Sequence, residues 1–175
     1  MTDEELKQLI QETMSAQYQA DSFSDDMPSR ATPHAPAKPQ EIARFADDLR
    51  TRGLSLPPSF AQFLRIHNGI ENYIPSMELS LRSMQQIERA SGRDSAWKEI
   101  SPAHRFVFAS GNTSAFAGFV PETEDQRGEM QVVMITDSGD ITNYKDFEDF
   151  MKDQLEYYRS VIRAERADRD NLKDD

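Results

Sequence analysis

Histidine and cysteine build many metal sites and nucleophilic centres, and this chain has few of them. It contains no Cys and three His, which are His34, His67 and His104. No His-x-x-x-His or His-Glu-x-x-His spacing occurs, and without Cys there is no thiolate ligand, catalytic thiol or disulfide. His34 lies among prolines, and His67 follows a predicted helix whose terminal carbonyls its ring can cap. We therefore expect structural histidines, no metal ion and no cofactor.

Motifs for phosphate binding and nucleophilic catalysis are also missing. No Gly-x-Gly-x-x-Gly, Gly-Lys-Ser/Thr or Gly-x-Ser-x-Gly occurs. Residues 110–114 (SGNTS) form a small polar loop that could present backbone amides to an anion, but a tight strand connection explains it better. Asp137 and Asp140 flank a Ser-Gly turn, where hairpins ordinarily carry Asp, and the alternating ligands of a calcium loop are absent. We expect no catalytic activity.

An acidic stretch is the main candidate for a binding surface. Glu122, Glu124 and Asp125, with Glu129 soon after, lie between two predicted strands. A solvated hairpin connection explains them, and so does a contact surface for a basic partner, because complementary potentials steer association. Trp97 lies in a polar predicted loop and is either the anchor of a small core or a binding hot spot. These five residues are our candidate partner-binding residues.

The charge of the whole chain excludes several classes of partner. Its 175 residues include 31 Asp and Glu against 20 Lys and Arg, which gives a formal net charge of −11. Nucleic acids and anionic membranes attract Lys and Arg, so we expect neither as a partner. No run of 18 apolar residues occurs, and the first residues do not resemble a secretory signal. We expect a cytoplasmic protein.

Proline and the spacing of apolar residues divide the chain into three parts. We predict an N-terminal extension at residues 1–39 whose residues 21–39 form a Pro-rich linker, a packed domain at residues 40–162, and a charged C-terminal tail at residues 163–175. Helices flanking consecutive strands indicate an α+β fold with a mostly antiparallel sheet. The predicted helices are 40–52, 58–67, 84–90 and one that Asp146 caps, and the predicted strands are 77–81, 105–109, 116–120, 130–135 and 141–144.

Residues 56–69 (LPPSFAQFLRIHNG) resemble a hallmark of the SUKH superfamily, the Smi/Knr-like domains. The family pattern has an amphipathic helix, Leu-Pro, a second helix with an aromatic residue and a Phe-Leu pair, and then Asn-Gly. A final helix begins aromatic, acidic, acidic, aromatic, apolar, which residues 147–151 (FEDFM) match. The similarity covers about residues 40–157. The residues that carry it are Leu56, Pro57, Phe60, Phe63, Leu64, Asn68, Gly69, Phe147 and Phe150.

This resemblance implies a SUKH-like binding module rather than an enzyme. Many bacterial members are immunity proteins that neutralise a cognate toxin, and a fungal relative is a scaffold in cell-wall signalling. A toxin nuclease is often basic, so an acidic inhibitor would associate quickly and occlude its active site. We therefore expect a protein partner, most plausibly a basic toxin. The alternative is a regulatory scaffold that recruits partners through residues 21–39.

Overall fold

The structure, a computed structural model, describes residues 1–23, 31–74, 79–90, 106–110 and 115–171. Within these ranges it has five helices and seven strands, which confirms the predicted α+β class. The helices are α1 (Asp3–Asp21), α2 (Pro39–Thr51), α3 (Pro58–Ile66), α4 (Met84–Ala90) and α5 (Phe147–Asn171). The strands are β1 (Thr32–Pro33), β2 (Ile70–Ile74), β3 (Leu79–Leu81), β4 (Phe106–Ser110), β5 (Phe116–Val120), β6 (Gln131–Ile135) and β7 (Ile141–Tyr144).

The described strands form one antiparallel sheet in which every strand pairs with its neighbour along the chain, in the order β1 to β7. Pro33 lies in β1 at the edge of the sheet, where a residue without a backbone N–H is tolerated. The sequence analysis did not predict β1 or β2. Strand β2 contains Asn72 with a left-handed φ of 54°, and its pairing with β3 shifts register. This irregularity hides the alternation by which a strand is recognised.

A bulge in β4 brings an additional side chain into the core. Val107 pairs with Gly118 and Ala109 pairs with Ala117, so Phe108 has no opposite residue on β5. Phe108 and Ala109 both belong to the main core, whereas Val107 belongs to a separate apolar cluster. A bulge of this kind lets two consecutive side chains lie on one face of a strand.

Phenylalanine rings fill the space between the sheet and the helices. Phe60 of α3 is completely buried, and its ring centroid lies 5.3–5.8 Å from those of five other rings. Aromatic pairs at this separation contribute about 0.5–1.5 kcal/mol each beyond the burial of their area. The five rings come from α3, β4, β5 and α5, and they belong to Phe63, Phe106, Phe108, Phe119 and Phe147.

Helices α1 and α5 lie side by side and run in the same direction. Three contacts spaced along the pair join residues about 147 positions apart in the sequence, so the two axes are parallel and in constant register. The contacts are the amino terminus of Met1 with Glu148 (3.5 Å), Glu12 with Arg159 (2.9 Å), and the Arg169 guanidinium over the Phe23 ring (4.6 Å).

The inner face of α1 belongs to the main core. Leu6 and Ile10 are completely buried, and the Gln17 side-chain amide donates to the backbone carbonyl of Asn72 at 2.6 Å. Ala37, from the predicted linker, is also buried in this core. The boundary between an extension and a domain near residue 39 stays a prediction, but residues on both sides of it share one core.

The start of α5 confirms the predicted cap. The Asp149 N–H donates to the Asp146 carboxylate at 2.9 Å, and the Lys145 N–H donates to the Asp149 carboxylate at 3.0 Å. The helix then continues through residues 163–171 of the predicted tail. Among the helices of the described residues, none combines the length and the apolar content needed to cross a membrane. The buried face of α5 is the predicted one, and it consists of Phe147, Phe150, Met151, Leu155, Tyr158 and Ile162.

Because Ile10 is completely buried, we expect Ile10→Ala to lower the free energy of unfolding by about 2–5 kcal/mol. Its exposed neighbour in the same helix provides the control, and we expect Gln11→Ala to change it by less than about 0.5 kcal/mol. Urea unfolding followed by circular dichroism measures both values. Equal stabilities for Ile10→Ala and the unmodified chain would show that α1 is not part of the cooperative unit.

Candidate partner-binding site

The loop between β5 and β6 contains the four candidate carboxylates Glu122, Glu124, Asp125 and Glu129. It begins with a 3-10 turn, Pro121–Thr123. The Thr123 hydroxyl donates to the carbonyl of Val120 at 2.6 Å and accepts from the N–H of Gln131 at 2.8 Å. One side chain thereby joins the end of β5 to the start of β6 and fixes the base of the loop.

Asp125 organises the interior of this loop. Its Oδ1 accepts from the backbone N–H groups of Arg127 (2.8 Å) and Glu129 (3.0 Å), and its Oδ2 accepts from Nε of Arg127 (3.1 Å). These bonds, with that from the Glu129 N–H first, hold the pKa of the Asp125 carboxyl below its usual value. Asp125 is therefore an ionised group that already has partners within its own loop.

Glu129 caps helix α3 from across the fold. Pro57 precedes this helix and has no side chain that can accept its first N–H groups. The carboxylate of Glu129 accepts instead from the backbone N–H of Ser59 at 2.8 Å and from the Ser59 hydroxyl at 2.6 Å. A negative charge there also interacts favourably with the helix dipole. The acidic loop is consequently fastened to the helix that carries Phe60.

The two remaining carboxylates of the loop differ in their partners. Glu124 accepts a hydrogen bond of 2.5 Å from the hydroxyl of Ser55, in the connection between α2 and α3. Glu122 is exposed and makes no hydrogen bond or ion pair with any residue that the structure describes. Of the four predicted acids, Glu122 is therefore the one whose carboxylate remains open to a partner.

The other candidates from the sequence fall into two groups. Trp97, His104 and residues 111–114 lie outside the described residues. His34 places Nε2 3.2 Å from a Glu71 carboxylate oxygen, and Nδ1 of His67 lies 3.2 Å from the backbone carbonyl of His34. The expectation that His67 caps carbonyls of α3 is wrong, because this residue is extended (φ −144°) and its ring contacts the chain beside β1. Within the described part of the chain, no three His, Asp or Glu side chains are placed to hold a metal ion.

Asn68 and Gly69 position the chain that leaves α3. The Asn68 side-chain carbonyl accepts from the N–H of Met84, the first residue of α4, at 2.9 Å. Gly69 has a φ of +100°, and a Cβ there would lie 2.8 Å from the Ser83 nitrogen and 2.9 Å from the Leu81 carbonyl oxygen. No real Cβ is found at such distances from backbone atoms, so the close approach requires glycine. The pair thus joins α3, β3 and α4.

The sequence was also compared with known families. Residues 36–153 match the model of the SMI1/KNR4 family (SUKH-1). The chain belongs to this family. A comparison with curated proteins gives no match. The SUKH match includes α2 to α4, strands β2 to β7 and the start of α5, and it leaves out α1, β1 and α5 after residue 153.

The hallmark residues of this SUKH domain lie mostly in its core. The five large apolar side chains of the pattern are completely buried, and they are Phe60, Phe63, Leu64, Phe147 and Phe150. Pro57 is buried and Leu56 is half-buried at the start of α3. These residues hold α3 and α5 against the sheet. The family pattern therefore reflects packing of the core and does not identify the binding surface.

The capping role of Glu129 was missed in the sequence, although one signal pointed to it. Two consecutive prolines, Pro57 and Pro58, begin α3 without a Ser, Thr, Asp or Asn at the cap position. Such a start requires an acceptor from another element. The sequence could not say which acid supplies it, because Ser59 and Glu129 are 70 residues apart.

Loss of the cap should cost stability, whereas loss of the free acid should not. We expect Glu129→Ala to lower the free energy of unfolding by about 0.5–2 kcal/mol, because it leaves the Ser59 N–H without its acceptor. The exposed Glu122→Ala should change it by less than about 0.5 kcal/mol. Urea unfolding at pH 7 measures both, and equal losses would contradict the separate roles of the two acids.

His67 should make the protein less stable in acid. Burial lowers the pKa of its ring in the folded state, whereas the unfolded ring takes up a proton near pH 6.5. Below that pH the unfolded state binds more protons, so the free energy of unfolding falls as the pH decreases. The loss should be below about 1 kcal/mol, because the ring is only half-buried. Unfolding of the unmodified chain and of His67→Asn between pH 7.5 and 5 measures this term, and a stability difference that does not vary with pH would refute it.

Proposed function

We propose that this chain is a noncatalytic protein-binding domain, and specifically an immunity protein that neutralises a basic toxin by covering its active site. The observation that carries the proposal is the match of residues 36–153 to the SMI1/KNR4 family (SUKH-1). Many bacterial proteins that the chain resembles act in this way. The net charge of −11 supports a basic partner, because opposite charge accelerates association.

The acidic loop is the surface that we assign to the toxin. Glu122 is exposed and has no hydrogen bond or ion pair among the described residues, and the ionised carboxylate of Asp125 is also exposed in this loop. The bonds of Thr123 and Glu129 fix both ends of the loop, so little conformational freedom is lost when a partner binds. A rigid acidic surface suits rapid association with the cationic residues around a nuclease site.

The mechanism is steric occlusion and needs no reacting group on this chain. Long-range attraction brings the acidic loop to the cationic cleft, and short-range packing of the domain then excludes the toxin's substrate. The polyanionic substrate of such a toxin binds the same cationic residues through its phosphates. When the inhibitor binds, its carboxylates occupy the positions of those phosphates. The role of Trp97 in this contact stays a prediction.

The alternative of a regulatory scaffold has less support. It assigned partner recruitment to residues 21–39, and the described residues of that segment already have partners within the fold. Thr32 and Pro33 pair with β2, and the N–H of Ala37 donates to the Leu64 carbonyl at 2.9 Å. The described part of this segment is therefore poorly suited to recruit partners.

The test is a search for a toxin-like effector encoded beside this gene, followed by co-expression of the two proteins. We expect growth of a sensitive host to be restored and the two purified proteins to form a complex whose association slows as salt rises. Glu122→Lys should slow association by about three- to tenfold, because charges at the edge of an interface act mainly on the association rate. Stopped-flow fluorescence measures this rate.

Asp168→Lys is the matched control, because it makes the same charge change at an exposed helical position outside the loop. It should leave the association rate within about twofold of the unmodified chain. Equal slowing by both variants would attribute steering to net charge rather than to the loop. Absence of a complex at low salt would overturn the proposed function.

A further inference from the structure

A groove of about 750 Å³ runs between α1 and α5. Its walls come from residues 8–19 of α1 and residues 155–166 of α5, which are about three turns of each helix. With a rise of 1.5 Å per residue, this stretch is about 17 Å long. Since the helices are parallel and in constant register, the groove follows both axes. It shares no residue with the acidic loop.

The centre of the groove is apolar. Leu155 and Ile162 are seven residues apart, which places them two turns apart on the same face of α5, and both are buried with 6% and 7% of their surface exposed. Ala16 lines the opposite wall on α1, between the polar side chains of Ser15 and Gln19. The small side chain of Ala16 leaves room above this apolar strip.

Three arginines line the α5 wall of the groove at steps of four and three residues, which is the spacing of neighbours on one helical face. Arg159 pairs with Glu12 at 2.9 Å, and Arg163 pairs with Glu156 at 2.6 Å. Their side chains remain 49% and 63% exposed, so both can reach a further anion.

Arg166 completes this row. It is exposed and has no hydrogen bond or ion pair with any described residue. Glu12 is the single acid among the described residues that line the groove, against three arginines. The residues that line the groove therefore carry more positive than negative charge, in a chain whose net charge is −11.

We propose that this groove binds an acidic amphipathic helix of a partner protein. A helix fits the space between two neighbouring parallel helices, as in helical bundles. Carboxylates on one flank of the bound helix, three or four residues apart, pair with Arg159, Arg163 and Arg166. Its apolar side chains lie over the small exposed part of Leu155 and Ile162, in the usual arrangement for a helix in a groove.

Other occupants fit the groove less well. A nucleic acid would meet only a short cationic strip on a strongly acidic protein. An extended peptide would find helices on both sides rather than a strand edge to pair with. Both walls lie outside the family match at residues 36–153, so the groove is an addition to the SUKH domain. The proposal is thus independent of the toxin-binding function.

The test uses the full chain and three fluorescent synthetic peptides of 15 residues. One is an amphipathic helix with Glu on its flank and Leu at every third or fourth position; in the second, Lys replaces Glu, and in the third, Gln replaces Leu. Fluorescence anisotropy at 50 mM and 300 mM salt gives the dissociation constants. We expect the acidic amphipathic peptide to bind at least tenfold more tightly than either altered peptide, and its affinity to fall with salt.

Variants of the chain locate the site. Arg166→Glu should weaken binding of the acidic peptide at least tenfold, and Arg166→Lys should retain most of it. The matched control, Arg44→Glu on the exposed face of α2, should change the affinity less than twofold. Ala16→Phe, which fills the groove, should weaken binding without altering the net charge.

Three results would overturn the proposal. The first is equal affinity for the acidic and lysine peptides, and the second is equal loss in Arg166→Glu and Arg44→Glu. The third is a dimer in analytical ultracentrifugation that Arg166→Glu dissociates, which would show that a second copy of the chain occupies the groove. Circular dichroism of each variant verifies that the helices are retained, and failure of the toxin experiment would leave the peptide results unaffected.

Discussion

The burial of one ring, Phe60, is the interaction on which the rest of this structure depends. Its contacts reach α5 and two central strands of the sheet, so the position of α3 sets the positions of both layers. The location of Phe60 is fixed in turn by contacts at the two ends of α3. Glu129 caps the first turn, and Gly69 allows the chain after the last turn to touch the backbone of residues 81–83. The packing of Phe60 and the contacts at the ends of α3 therefore depend on each other.

The contacts around α3 give the acidic loop a structural role. A row of carboxylates between two strands suggests a surface evolved for a partner, but three of the four are bonded to nearby groups of the fold. Glu129 and Glu124 fasten the loop to the chain around α3, and Asp125 shapes the loop itself. These three acids thus contribute to the fold whether or not a partner exists, and their bonds hold the loop that carries the free carboxylate of Glu122.

Local patterns predicted much of this fold. The strands at residues 116–120 and 141–144 agree with β5 and β7, and the helix at residues 40–52 differs from α2 by one residue at each end. The patterns that indicate strands, helices and turns each involve residues only a few positions apart, so they can be recognised without a structure. Strand β2 was missed because its stability comes from pairing with β1 and β3, and Asn72 interrupts its pattern.

The candidate site was less predictable than the fold, because its residues meet across long separations. The four acids look alike in the sequence, and only contact with Ser55 or Ser59 distinguishes them. The spacing of Arg159, Arg163 and Arg166 was visible, but a charged helical face is ordinarily solvated. Recognition of a groove required the second wall, which α1 supplies from the other end of the chain.

The parallel pairing of α1 and α5 also has a consequence for the order of folding during synthesis. Glu12 is made 147 residues before Arg159, so α1 leaves the ribosome long before its partner helix exists. At 5–20 residues per second, this delay is about 7–30 s. Throughout it, α1 lacks the α5 surface against which it later packs, and closing so long a loop carries an entropic cost. The pairing of α1 with α5, and the groove between them, can therefore form only after residue 159 has been made.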